Sequence, residues 1–126
     1  MMKRHEAREK AMQTLFQLDS TEMSPEEAMT HIVGEEQDPF YAQLVNGTFD
    51  NRSEIDESLR TKLEKWTLDR LPKVERTVLR MAVYELQYME ETPAKVVLNE
   101  AIELCKTFGD ENSGRFVNGV LSKYND

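Results

Sequence analysis

The sequence predicts an all-α fold of about seven helices, and three observations carry that expectation. Apolar residues recur at three- and four-residue spacing in one segment after another. Helix-start signals, each a capping residue followed by proline, recur at Ser24-Pro25, Asp38-Pro39 and Thr92-Pro93. No segment shows the apolar–polar alternation of a half-buried strand.

The first helix, about residues 3–18, places Ala7, Ala11, Leu15 and Leu18 on one stripe flanked by Met12 and Phe16, wide enough to pack on two neighbours. Ser24-Pro25-Glu26-Glu27 then reads as a capping box: the Ser24 hydroxyl accepts from the amide three residues on, and Glu27 reaches back. That short helix stops at Gly34. Asp38-Pro39 opens a third, with Phe40, Tyr41, Leu44, Val45 and Phe49 at helical period. Asn51-Arg52-Ser53 reads as a turn, with Ser53 capping a fourth helix through Ile55, Leu59, Leu63 and Trp66. Leu71-Pro72 forces a break, because the residue before proline avoids the helical region.

Beyond it lies the most apolar helix, predicted to be the central one, with Val74, Val78, Leu79, Met81, Ala82, Val83, Leu86 and Met89. A helix from Thr92-Pro93 turns Val96, Val97, Ala101, Ile102 and Cys105 inward and closes at Phe108-Gly109. Ser113 caps the last, which carries Phe116, Val117, Val120, Leu121 and Tyr124. Short connections favour antiparallel neighbours, hence one or two small bundles within a single domain over residues 1–126.

Composition agrees with a folded domain. The chain has 126 residues with a net charge of −8, from 16 lysines and arginines against 24 aspartates and glutamates. A chain this long buries roughly two-thirds of its unfolded surface. One cysteine excludes an internal disulfide and any thiolate metal cluster. No apolar run approaches the ~18 residues of a membrane span, and the first ten residues are charged, so a cytoplasmic protein is expected. The charge is unevenly spread. Lys3, Arg4, Arg8 and Lys10 crowd the start, whereas residues 16–50 carry no lysine or arginine and eight acids. Such a chain is repelled from generic polyanions, so a nucleic-acid contact must be local and assisted; a basic protein partner suits it equally.

Signs of catalysis are weak. His5 and His31 have no second histidine at ligand spacing, so no metal is expected. No glycine-rich phosphate loop exists, and Cys105 falls on an apolar stripe, as a small buried hydrophobe would. Glu26-Glu27 complements a helix dipole, Glu35-Glu36 lies in a turn, and Glu100 and Glu103 read as solvated charges. No enzyme and no cofactor are expected.

Two regions ask for more. On the first helix, Arg4 and Arg8 share a column with Ala11 and Leu15, so these guanidinium groups either overhang the bundle end or meet a partner. Lys3, Lys10, Gln13 and Gln17 fall on a neighbouring polar flank. On the last helix Arg115, Asn118, Gly119 and Ser122 share a polar face, with Phe116 at the edge of the apolar arc. Charge, amide and aromatic plane are what an unpaired base needs. The residues alone favour the plainer reading, in which Phe116 is core and Gly119 permits close helix packing.

These residues also carry a resemblance. Arg4-His5-Glu6-Ala7-Arg8-Glu9 with Gln13 and Leu15-Phe16, the run from Val74 to Leu86, and the stretch from Asn99 to Gly109 and on to Phe116-Val117-Asn118-Gly119-Val120-Leu121 resemble the bacterial NusB antitermination family, in order and along the whole length. The resemblance implies two packed three-helix bundles and no enzymatic activity. It implies binding to the boxA element of nascent ribosomal RNA transcripts with NusE, a small-subunit ribosomal protein, in a complex with other Nus factors on RNA polymerase. Carried over residue by residue, the RNA-binding set is Lys3, Arg4, Arg8, Gln13, Asn112, Arg115, Phe116 and Asn118, and the NusE contact includes Phe16 and Glu75. Both ends of the chain are then expected to build one cationic ledge. The sequence departs from the family pattern at Lys3-Arg4-His5, where a longer arginine run is frequent, and at Asn112, where an acid is frequent.

An alternative from another class is a helical adaptor that binds only protein, its cationic tip mere solvated surface. The helical RNA-binding domain of an rRNA methyltransferase is a relative of the first reading, disfavoured because no cofactor-binding α/β domain accompanies it.

Overall fold

The computed structural model describes residues 1–35 and 38–125. Its helices are α1 (Arg4–Leu18), α2 (Pro25–Val33), α3 (Pro39–Asp50), α4 (Arg52–Lys62), α5 (Lys73–Tyr88), α6 (Ala94–Phe108) and α7 (Ser113–Leu121). Single 3₁₀ turns cover Leu68–Arg70 and Ser122–Asn125, and no strand occurs among the described residues.

The capping signals at both ends of α2 and at the start of α3 act as the sequence predicts. Ser24 Oγ accepts from the Glu27 amide at 3.1 Å and the Glu27 carboxylate accepts from the Ser24 amide at 3.0 Å. Asp38 accepts from the amides of Phe40 and Tyr41 ahead of α3. Gly34 ends α2 at φ +79°, a left-handed conformation that favours glycine. Glu36, expected in the following turn, lies outside the described residues.

Three caps differ from expectation: at α6 the N-cap is Pro93 and not Thr92, with no side-chain cap bond. Helix α4 starts two residues early, with Asn51 rather than Ser53 as its N-cap, and it ends at Lys62. Leu63 there swings to ψ 117°, which carries Trp66 out of the helix. At α7, Ser113 is the first helical residue and not the cap. Its Oγ accepts from the Asp110 amide, while Asp110 Oδ1 accepts from the amides of Asn112 and Ser113. The aspartate does the work assigned to the serine, and the Asn112 side chain makes no cap bond.

Helices α1, α2 and α3 pack as one bundle and α5, α6 and α7 as a second, with α4 against α5. Helix α5 is central: it touches α1, α3, α4, α6 and α7. Val78, Leu79, Met81 and Val83 on it are buried, as are Ala7, Ala11, Met12 and Leu15 on α1. Helices α3 and α5 approach closely because Gly47 has no side chain: a Cβ there would lie 2.1 Å from the Tyr84 ring. Polar seams also tie the bundles. Arg80 donates to Asp56 on α4 and to Asp19 just after α1, and Arg76 donates to Asp19 at 2.7 Å. Burial raises the Asp19 carboxyl, but the hydrogen bond and charge of Arg76, then Arg80, outweigh it and hold the group below its ordinary 3.8.

Candidate nucleic-acid interface

Helix α7 presents the last-helix face that the sequence predicts. Its buried side is Val117, Val120 and Leu121 against α5 and α6. Asn112, Arg115, Asn118 and Gly119 are exposed, and Phe116 is half-buried. Of the two readings of Phe116, neither is complete: part of the ring packs on the core and part reaches the surface. The close-packing reading for Gly119 is overturned, since a Cβ at that position would meet nothing within 4 Å. Gly114 is the glycine that faces a helix, with Ile102 and Cys105 of α6 beneath it.

The segment that leaves α4 supplies a neighbour the sequence reading did not find. Trp66 meets Phe116 edge to face, with centroids 6.0 Å apart and planes at 78°, yet stays 57% exposed. The signal was present in the sequence, but helical periodicity assigned Trp66 to the buried stripe of α4. The Lys62–Leu63 break removes it from that stripe.

At the other end of the chain, Lys3 and Arg4 are exposed, and the Arg4 guanidinium lies 3.9 Å above the Phe40 ring. Gln13 is half-buried about 14 Å further along α1, on the side away from Arg4. Arg8 departs from expectation. It does not overhang but points inward, 5% exposed, with its guanidinium forked on Glu85 of α5 (Nε to Oε1 3.0 Å) and Nη1 reaching Glu100 of α6 at 3.3 Å. The column it shares with Ala11 and Leu15 does face the core, and the partner it meets is internal. Burial opposes the charge, but the hydrogen bond and attraction from Glu85, then Glu100, outweigh it, and the Arg8 pKa rises. Glu100 is therefore not a solvated charge. It also accepts from His5, 3.2 Å away.

The expected ledge is amended in the same way. Helix α1 packs on α2, α3, α5 and α6, and α7 packs on α5 and α6, so both chain ends share α5 and α6 as neighbours. At about 100° per residue, Glu100 on the α1 side and Ile102 and Cys105 on the α7 side occupy different flanks of α6. The exposed arc between them carries Asn99, Glu103, Lys106 and Thr107. The start of α1 and the α7 face thus lie against different flanks of α6, and Arg4 is turned toward Phe40 of α3.

The two residues expected at a protein contact lie near the start of α5. Phe16 is half-buried beneath Lys73, whose Nζ sits 4.2 Å above the ring. Glu75 is only 8% exposed, so it presents little more than an edge. The acids of α2 and its neighbours, Glu22, Glu26, Glu27 and Glu35, are all exposed.

Cys105 is fully buried, and burial, aided by Glu75 and Asp110, pushes its thiol up to about 12, which leaves it no nucleophilic character. Among the described residues no three His, Cys, Asp or Glu side chains cluster to hold a metal ion. No helix among them is long and apolar enough to cross a membrane.

Comparison with known proteins places this geometry. The profile of the NusB family matches residues 5–126. A transcription antitermination protein NusB of Lysinibacillus sphaericus is 66% identical over 125 residues, 99% of this chain and 98% of the relative. The solved T. maritima NusB superposes with a TM-score of 0.88 at 37% identity, covering 97% of this chain and 89% of the other. A crystal structure of the antitermination factors NusB and NusE in complex with dsRNA superposes with a TM-score of 0.84 at 33% identity, covering 97% and 96% of the two chains.

Proposed function

The chain belongs to the NusB family, and from that premise we propose that it is a cytoplasmic, non-catalytic transcription antitermination factor, a single RNA-binding domain that holds the boxA RNA of nascent ribosomal transcripts jointly with NusE. With other Nus factors it supports processive transcription of rRNA operons by RNA polymerase. One observation carries the RNA contact: on a chain of net charge −8, α7 exposes Asn112, Arg115 and Asn118 around a half-buried Phe116. The arginine pairs with phosphate, the amides read base edges and the exposed part of the ring stacks. Lys3 and Arg4 hold phosphates at the start of α1, and Gln13, about 14 Å further along that helix, meets a more distant part of the strand. Arg8 acts through structure. Its bond to Glu100, which also holds His5, fixes the start of α1 against α6.

The same charge distribution explains a need for NusE. Three or four phosphate contacts are a modest attraction against an anionic body. A basic partner seated beside Phe16, on the side where residues 16–50 carry no lysine or arginine, neutralises that body and extends the cationic surface. The solved relative with NusE holds dsRNA; preference for an unpaired strand is part of the present reading and rests on the α7 face.

Titration of labelled single-stranded boxA RNA with and without NusE tests it. Tight binding is expected only with the partner, and equal affinities reject the assisted-binding argument. A double charge reversal, Arg4→Glu with Arg115→Glu, should abolish RNA binding and leave NusE capture intact; RNA binding that survives it favours a protein-only adaptor. Arg8→Glu is unsuitable as a probe, because it would set a third carboxylate against Glu85 and Glu100 inside the protein.

A further inference from the structure

Between the 62–66 segment and α7 runs an open cleft of about 270 Å³ that continues the α7 face sideways. We infer that this cleft is a second nucleotide subsite, in which Trp66 stacks on an unpaired base of the RNA strand as it leaves Phe116. The inference deepens the proposed RNA-binding function and rests on it.

Three observations converge. The first is the indole itself. Most large apolar side chains here are buried, yet Trp66 is 57% exposed, in a T-shaped contact with Phe116. An indole placed to complete the core would be buried, whereas one set against a neighbouring ring and more than half exposed is available as a stacking platform. The second is charge. Lys62, Lys65, Arg115 and Lys123 line the cleft against the single acid Glu64, a local excess of cations on a chain of net −8. Lys123 is pinned, donating to the Lys62 carbonyl at 2.7 Å and lying 3.4 Å from Glu64, while Lys65 and Arg115 are exposed.

The third is Gly119, which lines the same cleft. Glycine is the poorest residue short of proline for a helix interior, and no packing demands it here, since a Cβ would meet open space. Gly47 and Gly114, by contrast, each have a neighbour above them. A bare backbone beside Trp66 and Phe116 lets a planar ring approach the helix surface. Cationic lining and continuity with the α7 face select an RNA strand over an acidic or apolar protein segment as the occupant.

Trp66 is the only tryptophan of the chain, so it reports on its own site. With NusE present, single-stranded boxA RNA carrying several extra unpaired nucleotides should quench Trp66 emission and shield it from iodide, with the Trp66→Phe chain as the blank for any partner signal. Trp66→Ala should weaken that RNA at least about fivefold, Trp66→Phe far less. Lys65→Glu and Gly119→Ala should each weaken it too, without lowering the folding transition. These two variants decide the matter if Trp66→Ala loses its fold.

RNA that binds and is weakened by Arg115→Glu, yet leaves Trp66 emission unchanged and tolerates Trp66→Ala, Lys65→Glu and Gly119→Ala, overturns the subsite and leaves the proposed function standing. Quenching by NusE without RNA also overturns it and assigns the cleft to protein. RNA that fails to bind even with NusE removes both readings.

Discussion

Replacing Arg8 by alanine separates the structural role of its side chain from a phosphate-binding one. The guanidinium is 5% exposed and forked on Glu85, itself 1% exposed, with a further bond to Glu100. Truncation leaves the Glu85 carboxylate buried without its cation. Breaking a buried pair from one side destabilises by about 3–5 kcal/mol. Against a typical total of about 5–15 kcal/mol, that is a large fraction. For a chain of 126 residues it corresponds to a fall in Tm of about 12–20 °C.

Urea unfolding of wild type and Arg8→Ala, followed by far-UV circular dichroism, measures the loss directly. The paired variant Arg8→Met with Glu85→Leu should recover most of it, because no charge is then stranded. RNA affinity measured well below the transition should change only modestly. A variant as stable as wild type that no longer binds RNA would refute this reasoning and return Arg8 to the phosphate contacts.

Other sites give independent checks. Gly47→Ala drives a Cβ into the Tyr84 ring and should destabilise by at least about 1–3 kcal/mol in the same urea assay, since overpacking forces α3 from α5. Asp19, whose carboxyl sits below its ordinary 3.8, contributes stability above that value and loses it as pH falls through the lower folded value. Asp19→Asn should therefore flatten the acid limb of a stability–pH curve between about pH 5 and pH 2. Cys105, buried with its thiol near 12, should resist dithionitrobenzoate at pH 8 in the native protein and react stoichiometrically in urea.

The helices were legible because their signals are local. Ser24 with Glu27, Asp38-Pro39 and Leu71-Pro72 each specify backbone geometry within four residues, and the structure keeps all three. The last-helix face was legible for the same reason: Arg115, Asn118 and Gly119 share it by periodicity alone. What sequence could not supply was pairing over long separation. Arg8 and Glu85 stand 77 positions apart, and nothing in either segment announces the other. A guanidinium on a core-facing column posed the question, and only the packing of α1 on α5 and α6 answers it. Trp66 failed differently. Its period fitted α4, but the chain turns out of the helix at Leu63, three residues before Trp66.

Moving Arg8 inward and Trp66 outward alters which cations meet RNA, and salt dependence can detect the exchange. Lys3, Arg4 and Arg115 are exposed, and three such contacts give a slope of log K against log salt near −2.1 for a single strand. Lys65 in the Trp66 cleft raises that to about −2.8. Lys65→Ala should then lower the slope's magnitude by about 0.7 on the extended RNA, whereas Arg8→Ala should leave it unchanged because that charge is satisfied by Glu85 and Glu100. NusE adds its own contacts to the total, so wild type and variant are compared with the same partner. A slope that drops with Arg8→Ala and ignores Lys65→Ala would mean that α1 opens on binding to release its buried arginine to the phosphates.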